Sequence, residues 1–213
     1  SSEYLTTKIS KSITRLDSFK DERKRVREIF YNEFAPLSGT DRKNLFDKTT
    51  ETAMCLLRQR SDKPRFTAFL VLSFLIEIED DQTRLNQTST DLEKLLPLES
   101  TVLLEGIAYL FKRIAELQKI PFNHRIYDRC IQFLSNRVTP SAIQTAVIII
   151  SKMKPNENLS DLANLLWPAI TFRDQKIQEK AVKLFFYCLS HSSKSDELIK
   201  GILSMSSYNI LER

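Results

Sequence analysis

Glycine is scarce in this sequence, with three residues among 213, at positions 39, 106 and 201. Tight hairpin turns, phosphate-cradling loops and many bulges need residues that accept positive φ, a role glycine fills at no steric cost. So few glycines disfavour sandwiches, barrels and nucleotide-binding α/β folds. Histidine is nearly absent, with only His124 and His191. The cysteines, Cys55, Cys130 and Cys188, are odd in number and far apart, a spacing that suits neither a disulfide framework nor a zinc site. Each lies in an apolar pattern and is expected to act as a small buried hydrophobe. An intracellular, reducing location follows as the expectation, cytoplasmic or nuclear. There is no run of about 18 apolar residues, so no membrane span is expected, and no signal-peptide pattern opens the chain. The absence of an initial Met, with helical-looking residues from Ser207 to Arg213, suggests a fragment of a longer chain or a processed chain. What is present is an ordinary globular composition, 42% apolar and 28% charged with a net charge of +5. A compact chain of this length buries roughly 70% of its unfolded surface, which is enough for a core without staples.

Periodicity then assigns helices. Leu5, Ile9, Ile13 and Leu16, then Val26, Ile29, Phe30 and Phe34, step by three and four, giving one long helix or two short ones joined near Asp17–Lys20. Pro36, Ser38 and Gly39 break this pattern before a helix over 41–60, with Leu45, Phe46, Ala53, Met54 and Leu57 inward. Asp62 reads as the N-cap of a third helix, with Pro64 in its first turn. From Phe66 to Ile78 that helix is apolar around most of its circumference, so it should be packed on more than one side. The polar stretch Asp80–Thr90 reads as a loop, followed by a short helix to Leu96 before Pro97. Glu99 to Ile120 is strongly helical, burying Leu103, Leu104, Ile107, Leu110, Phe111, Ile114 and Leu117, and Gly106 inside it points to a close helix approach. Helices over 123–136, 140–154, 159–172 and 175–191 follow, the second starting with the Thr139–Pro140 cap, and a last one over Ser195–Leu211. No stretch reads as a strand, since even Val147–Ile150 sits inside a 3.6-residue pattern. The expected class is all-α, with about nine or ten helices.

The second half resembles itself. At an offset of 36, Ile126 meets Leu162, Cys130 meets Leu166, Leu134 meets Ile170 and Arg137 meets Arg173. With one residue deleted between the helices, an offset of 35 aligns Ala146 with Ala181, Val147 with Val182, Ile149 with Leu184, Ile150 with Phe185, and Met153 with Cys188. A period in this range is expected of stacked helical hairpins, each too thin to bury its own apolar face. The run Leu165–Leu166–Trp167–Pro168–Ala169–Ile170, then Phe172–Arg173–Asp174, then Ile177 and Ala181–Val182–Lys183–Leu184, is similar to a HEAT repeat. Gln178 stands where that family often has Arg, and Gln132 stands where the earlier copy would carry the helix-one Pro. The resemblance implies an α-solenoid of stacked antiparallel helical hairpins, HEAT/ARM-like, that holds other macromolecules, and it does not imply a reaction. The chain is expected to be a single helical domain over 1–213, with irregular hairpins over 1–120 and HEAT-like repeats over 121–213.

Enzymatic constellations are scarce: no Gly-rich phosphate loop, Gly-x-Ser-x-Gly elbow or His-Glu-x-x-His is present. No catalytic, cofactor-binding or metal residue is therefore assigned. His124 follows the N-cap position Asn123, and His191 at a helix C-terminus suits a cation facing the helix dipole. The acidic run Glu77, Glu79, Asp80 and Asp81 lacks calcium-loop spacing and reads as a solvated helix end. The basic run Arg23, Lys24, Arg25 and Arg27 is flanked by Asp21, Glu22 and Glu28 and reads as a mixed-charge face.

Charge is asymmetric along the chain. Residues 1–106 carry 17 basic and 18 acidic side chains, whereas 107–213 carry 15 basic and 9 acidic. Lys176, Lys180 and Lys183 step by four and three along one helix face that Tyr187 continues, and the 35-residue offset places Ser141, Thr145, Ile148 and Lys152 at matching positions. In HEAT-like solenoids second helices line the concave surface, so Lys176, Lys180, Lys183 and Tyr187 beside Thr145, Ile148 and Lys152 are the expected partner-binding ridge. Lysines would steer an acidic or amphipathic segment of another protein subunit, while Ile148 and Tyr187 supply desolvated contact. The expected function is a non-catalytic protein–protein interaction scaffold within a larger intracellular complex. The first alternative is a nucleic-acid-associated module, in chromosome maintenance or RNA processing, that uses the basic C-terminal half. The second is an all-α enzyme fragment with its site completed elsewhere.

Overall fold

A computed structural model describes residues 1–119, 124–136 and 139–194, together with 196–197, 199–201 and 203–204. The described residues form α-helices and connections without strands: α1 (Ser2–Ser12), α2 (Phe19–Phe34), α3 (Gly39–Leu57), α4 (Asp62–Ile78), α5 (Gln82–Glu93), α6 (Thr101–Leu117), α7 (His124–Asn136), α8 (Pro140–Met153), α9 (Leu159–Ile170) and α10 (Gln175–His191). Helical turns recur among the described residues of 196–204. Among the described residues, no helix is long and apolar enough to cross a membrane. The chain divides into two compact units, Ser1–Asn123 and His124–Arg213.

In the first unit α4 is the hub. Phe66 to Ile76 are eleven consecutive buried residues, as expected of a helix apolar around its circumference. It packs against α1, α2, α3 and α6. Its cap is Ser61, one residue before the position read from sequence. The N-terminal pattern resolves as two helices: α1 stops at Ser12, Ser18 caps α2 by accepting from the Asp21 N–H at 3.3 Å, and Leu16 lies exposed in the connection. Buried Glu22 secures that connection by accepting from the Arg15 N–H at 3.3 Å and pairing with Arg25.

Residues 80–90 are not a loop. Asp81 caps α5 through Oδ1, accepting from the N–H groups of Thr83 at 2.8 Å and Arg84 at 3.4 Å, and Leu85, Ser89 and Leu92 bury one face. One aspartate in the cap position outweighs a stretch too polar to show a period. Cys55 corrects a second expectation: it is exposed, because the buried stripe of α3 is Thr49, Ala53 and Leu57, and two residues past Ala53 is the opposite side. Cys130 and Cys188 are fully buried.

Within the basic run of α2, Arg23 is absorbed by packing, while Lys24, Arg25 and Arg27 stay exposed. The Arg23 guanidinium lies 4.9 Å from the ring centres of both Phe74 and Tyr109, donates to Ser73 Oγ at 3.1 Å and pairs with Glu77. Arg27 stacks over Tyr31 at 5.3 Å. The acidic run divides among different partners, Glu77 with Arg23, Glu79 near Arg84, and Asp81 as a cap.

In the second unit α7 packs along α8 and α9 along α10, while α8 meets α10 and α7 meets α9. Thr139 caps α8 by accepting from the Ala142 N–H at 3.2 Å, with Pro140 at the first helical position. Asp174 caps α10 by accepting from the N–H groups of Lys176 at 2.9 Å and Ile177 at 3.1 Å. Gln178 donates to the Ile170 carbonyl at 2.7 Å and so ties the end of α9 to the start of α10. Burial pushes the Tyr127 hydroxyl up to about 12 and the Cys188 thiol up to about 12.

Two predictions follow from this packing. A Cβ at Gly106 in α6 would lie 3.1 Å from Phe19 and 3.2 Å from Phe69, both buried rings. Gly106→Val should therefore cost about 1–3 kcal/mol in urea unfolding, with Gly106→Ala milder. For the second unit, raised Tyr127 and Cys188 values mean that the folded state holds protons the unfolded chain releases above about pH 9. Their contribution is complete below that pH and lost as pH rises toward 12. The urea midpoint should fall between pH 8.5 and 10.5, and should fall less in Tyr127→Phe.

Candidate functional site

A groove of about 360 Å³ opens where the C-terminal end of α8 meets α10, lined by Ser151, Lys154, Lys180, Lys183, Leu184 and Tyr187. The α10 residues fall at i, i+3, i+4 and i+7, the spacing of one helix face. Leu184, 4% exposed, anchors that face in the core and so brings Lys180 and Lys183 to the groove. Lys154 arrives by a different route. It ends α8 in the left-handed conformation at φ 50°, its N–H donating to the Ile150 carbonyl at 2.9 Å. That geometry closes the helix and leaves a cation at its carbonyl end, where the dipole favours positive charge.

Two polar groups complete the lining. Ser151 Oγ is buried without a hydrogen-bond partner. Tyr187 is half-buried, and its hydroxyl donates to the Pro155 carbonyl at 3.0 Å, tying the α8–α9 connection to α10. Its ring stacks on His191 at 4.3 Å, and His191 Nδ1 lies 2.9 Å from the Tyr187 carbonyl at the helix end. The side chain of His124 and its expected cap Asn123 lie outside the described residues. No carboxylate is among the described residues that line the groove. The arrangement is three ammonium groups, a hydroxyl seeking a partner and an aromatic edge. It can hold an anion or an acidic side chain.

Of the residues expected to form the ridge, Lys180, Lys183 and Tyr187 come together here. Lys176 is exposed one turn earlier on α10, outside the lining. Thr145 and Ile148 are corrections: they are 0% and 3% exposed and present no outward surface. The 35-residue offset does pair buried with buried, Ala142 with Ile177, Ala146 with Ala181, Ile149 with Leu184 and Met153 with Cys188. It fails at Thr145 and Ile148 because α8 is buried continuously from Thr145 to Ile150, whereas α10 keeps one side in solvent. Lys152 is exposed but does not line the groove, where Ser151 and Lys154 stand instead. Lys154 had a local signal, a cation between a helix end and Pro155, but nothing in sequence placed it beside Lys180. Among the described residues, no three His, Cys, Asp or Glu side chains converge as metal ligands.

Tyr187→Phe should lose the tie to Pro155. Unfolding free energy is expected to fall by about 0.5–1.5 kcal/mol, the usual net worth of one hydrogen bond. Amides of Lys154 and Asn156–Asn158 should exchange faster with solvent, while those at the centre of α10 stay protected. Comparison with protein-family models, curated proteins and solved structures found no match, so the role of the groove rests on its own chemistry.

Proposed function

We propose that the chain is a non-catalytic interaction scaffold, a HEAT-like stack of helical hairpins serving as a subunit or domain of a larger intracellular complex. It binds an acidic segment of a partner protein in the groove between α8 and α10. The observation that carries this reading is the convergence of Lys154, Lys180 and Lys183 on one groove beside the unpartnered Ser151 hydroxyl. The pairing of α7 with α8 and α9 with α10, with α8 also on α10, supports the hairpin stack. Ammonium groups along a groove steer acidic segments and fix their register more than they set raw affinity. Affinity would come from the half-buried Tyr187 wall as partner side chains desolvate it.

Binding to nucleic acid is the second reading, favoured by the 12 basic and 8 acidic residues of 124–213. The groove supports it less, because its cations are lysines without an arginine fork and its one aromatic hydroxyl already serves Pro155.

The two readings separate by salt and charge reversal. A labelled peptide alternating Glu with Leu and a short DNA duplex would be titrated against the chain and against a Lys154/Lys180/Lys183→Glu variant. The scaffold reading expects peptide affinity to drop about tenfold or more in the variant, with a shallow salt dependence. Tighter binding of the duplex, weakening steeply with salt, would favour nucleic acid. Equal peptide binding by both proteins would remove the groove from the argument.

A further inference from the structure

We infer that the first unit carries a docking groove of the opposite charge, shaped for a basic amphipathic helix of a partner protein. The groove measures about 390 Å³ and is built from three helix faces. Phe46, Asp47, Thr50, Glu51 and Met54 form the α3 wall, and Leu72, Leu75 and Ile76 of α4 form the floor. Arg84, Leu85, Thr88 and Asp91 form the α5 wall. Each set repeats at three and four residues, so each wall is one continuous helical stripe.

The walls are only partly covered. Phe46 and Met54 lie on a packed helix yet stay half-buried, while the floor residues beneath are at most 3% exposed. From Phe46 to Met54 the wall runs about 12 Å at 1.5 Å per residue, the length of roughly two turns of a docked helix. Met54 is unbranched and adapts to whatever side chain is pressed against it.

Charge selects the occupant. The lining carries the carboxylates Asp47, Glu51, Glu79 and Asp91 against the single cation Arg84. Arg84 bonds Asp47 at 2.7 Å, lies 3.7 Å from Glu79 and 3.9 Å from Asp81, and sits over the Phe46 ring at 5.6 Å. One guanidinium thus serves three carboxylates and closes one end by linking α5 to α3. It is an internal version of the side chain that the groove would take from a partner. Asp91, two turns farther along α5, receives Lys94 at 2.9 Å and Gln87 at 3.1 Å, and Glu51 stands exposed on the facing rim. Beyond Phe46 the adjoining surface sets Arg42, Lys43 and Arg84 against Glu79, Asp80 and Asp81, so its charges balance and the acidic excess that attracts a basic helix lies toward the Glu51–Asp91 end. Helix-in-groove recognition reads apolar anchors at i, i+3 or i+4, and i+7. Here those anchors would rest on Phe46 and Met54, with Lys or Arg flanking them.

The test uses the full chain and a labelled synthetic helix with Leu anchors at that spacing and lysines on both flanks, followed by fluorescence anisotropy. The wild-type chain should bind it, and a peptide with the lysines changed to Glu should not bind. Glu51→Lys should weaken binding about tenfold, and Met54→Glu should weaken it at least as much, while circular dichroism and the thermal midpoint show that each variant folds. Arg84→Ala, which frees the acids at the closed end, should tighten it severalfold. The Lys154/Lys180/Lys183→Glu variant should bind like wild type, which separates this groove from the basic one. The inference is overturned if the lysine peptide does not bind. It is also overturned if a basic peptide without Leu binds as tightly, or if folded Glu51→Lys and Met54→Glu bind unchanged.

Discussion

A helix with no polar side must be enclosed, and the first unit is organised around that requirement. Every residue of α4 from Phe66 to Ile76 is withdrawn from water, so helices have to be supplied around its whole girth. Burying a large apolar side chain contributes about 1.5–3 kcal/mol, and four phenylalanines and several leucines of the unit are wholly inside. The Arg23 clamp on Phe74 and Tyr109 and the close approach at Gly106 both serve that enclosure. Each brings a neighbouring helix against α4 or against a ring that touches it.

The same requirement explains what could be read from the sequence. The apolar girth of α4 predicted packing on several sides, and the structure has it. Helix α8 carries the same signal, with no charged residue between Pro140 and Lys152, yet the 35-residue offset to α10 puts Ile148 on the ridge. A repeat alignment transfers the positions two helices share and is blind to how many neighbours each one has. Local chemistry was legible where a cap adjoins a clear apolar period, as at Thr139–Pro140. It was illegible at α5, where Leu85 alone breaks the polar stretch up to Thr90 and the aspartate cap carries the start.

The basic groove was half visible for the same physical reason. Lys180, Lys183 and Tyr187 share one helix, so their spacing announced a common face. Ser151 and Lys154 reach that face only through the packing of α8 on α10 and the turn that ends α8. The acidic groove was invisible, since it needs α5 as a helix whose face lines the same cavity as α3. Its residues lie scattered over 46–91, and none is unusual by itself.

The left-handed turn at Lys154 sets two demands against each other. A side chain there costs about 1 kcal/mol relative to a backbone free of Cβ, and glycine is the residue that fits the turn without strain. Glycine would also strip the groove of one of its three cations. At this position, therefore, the substitution that most easily raises the stability of the fold is the one that erodes its capacity to hold an anion. Robustness and recognition draw on the same dihedral angle.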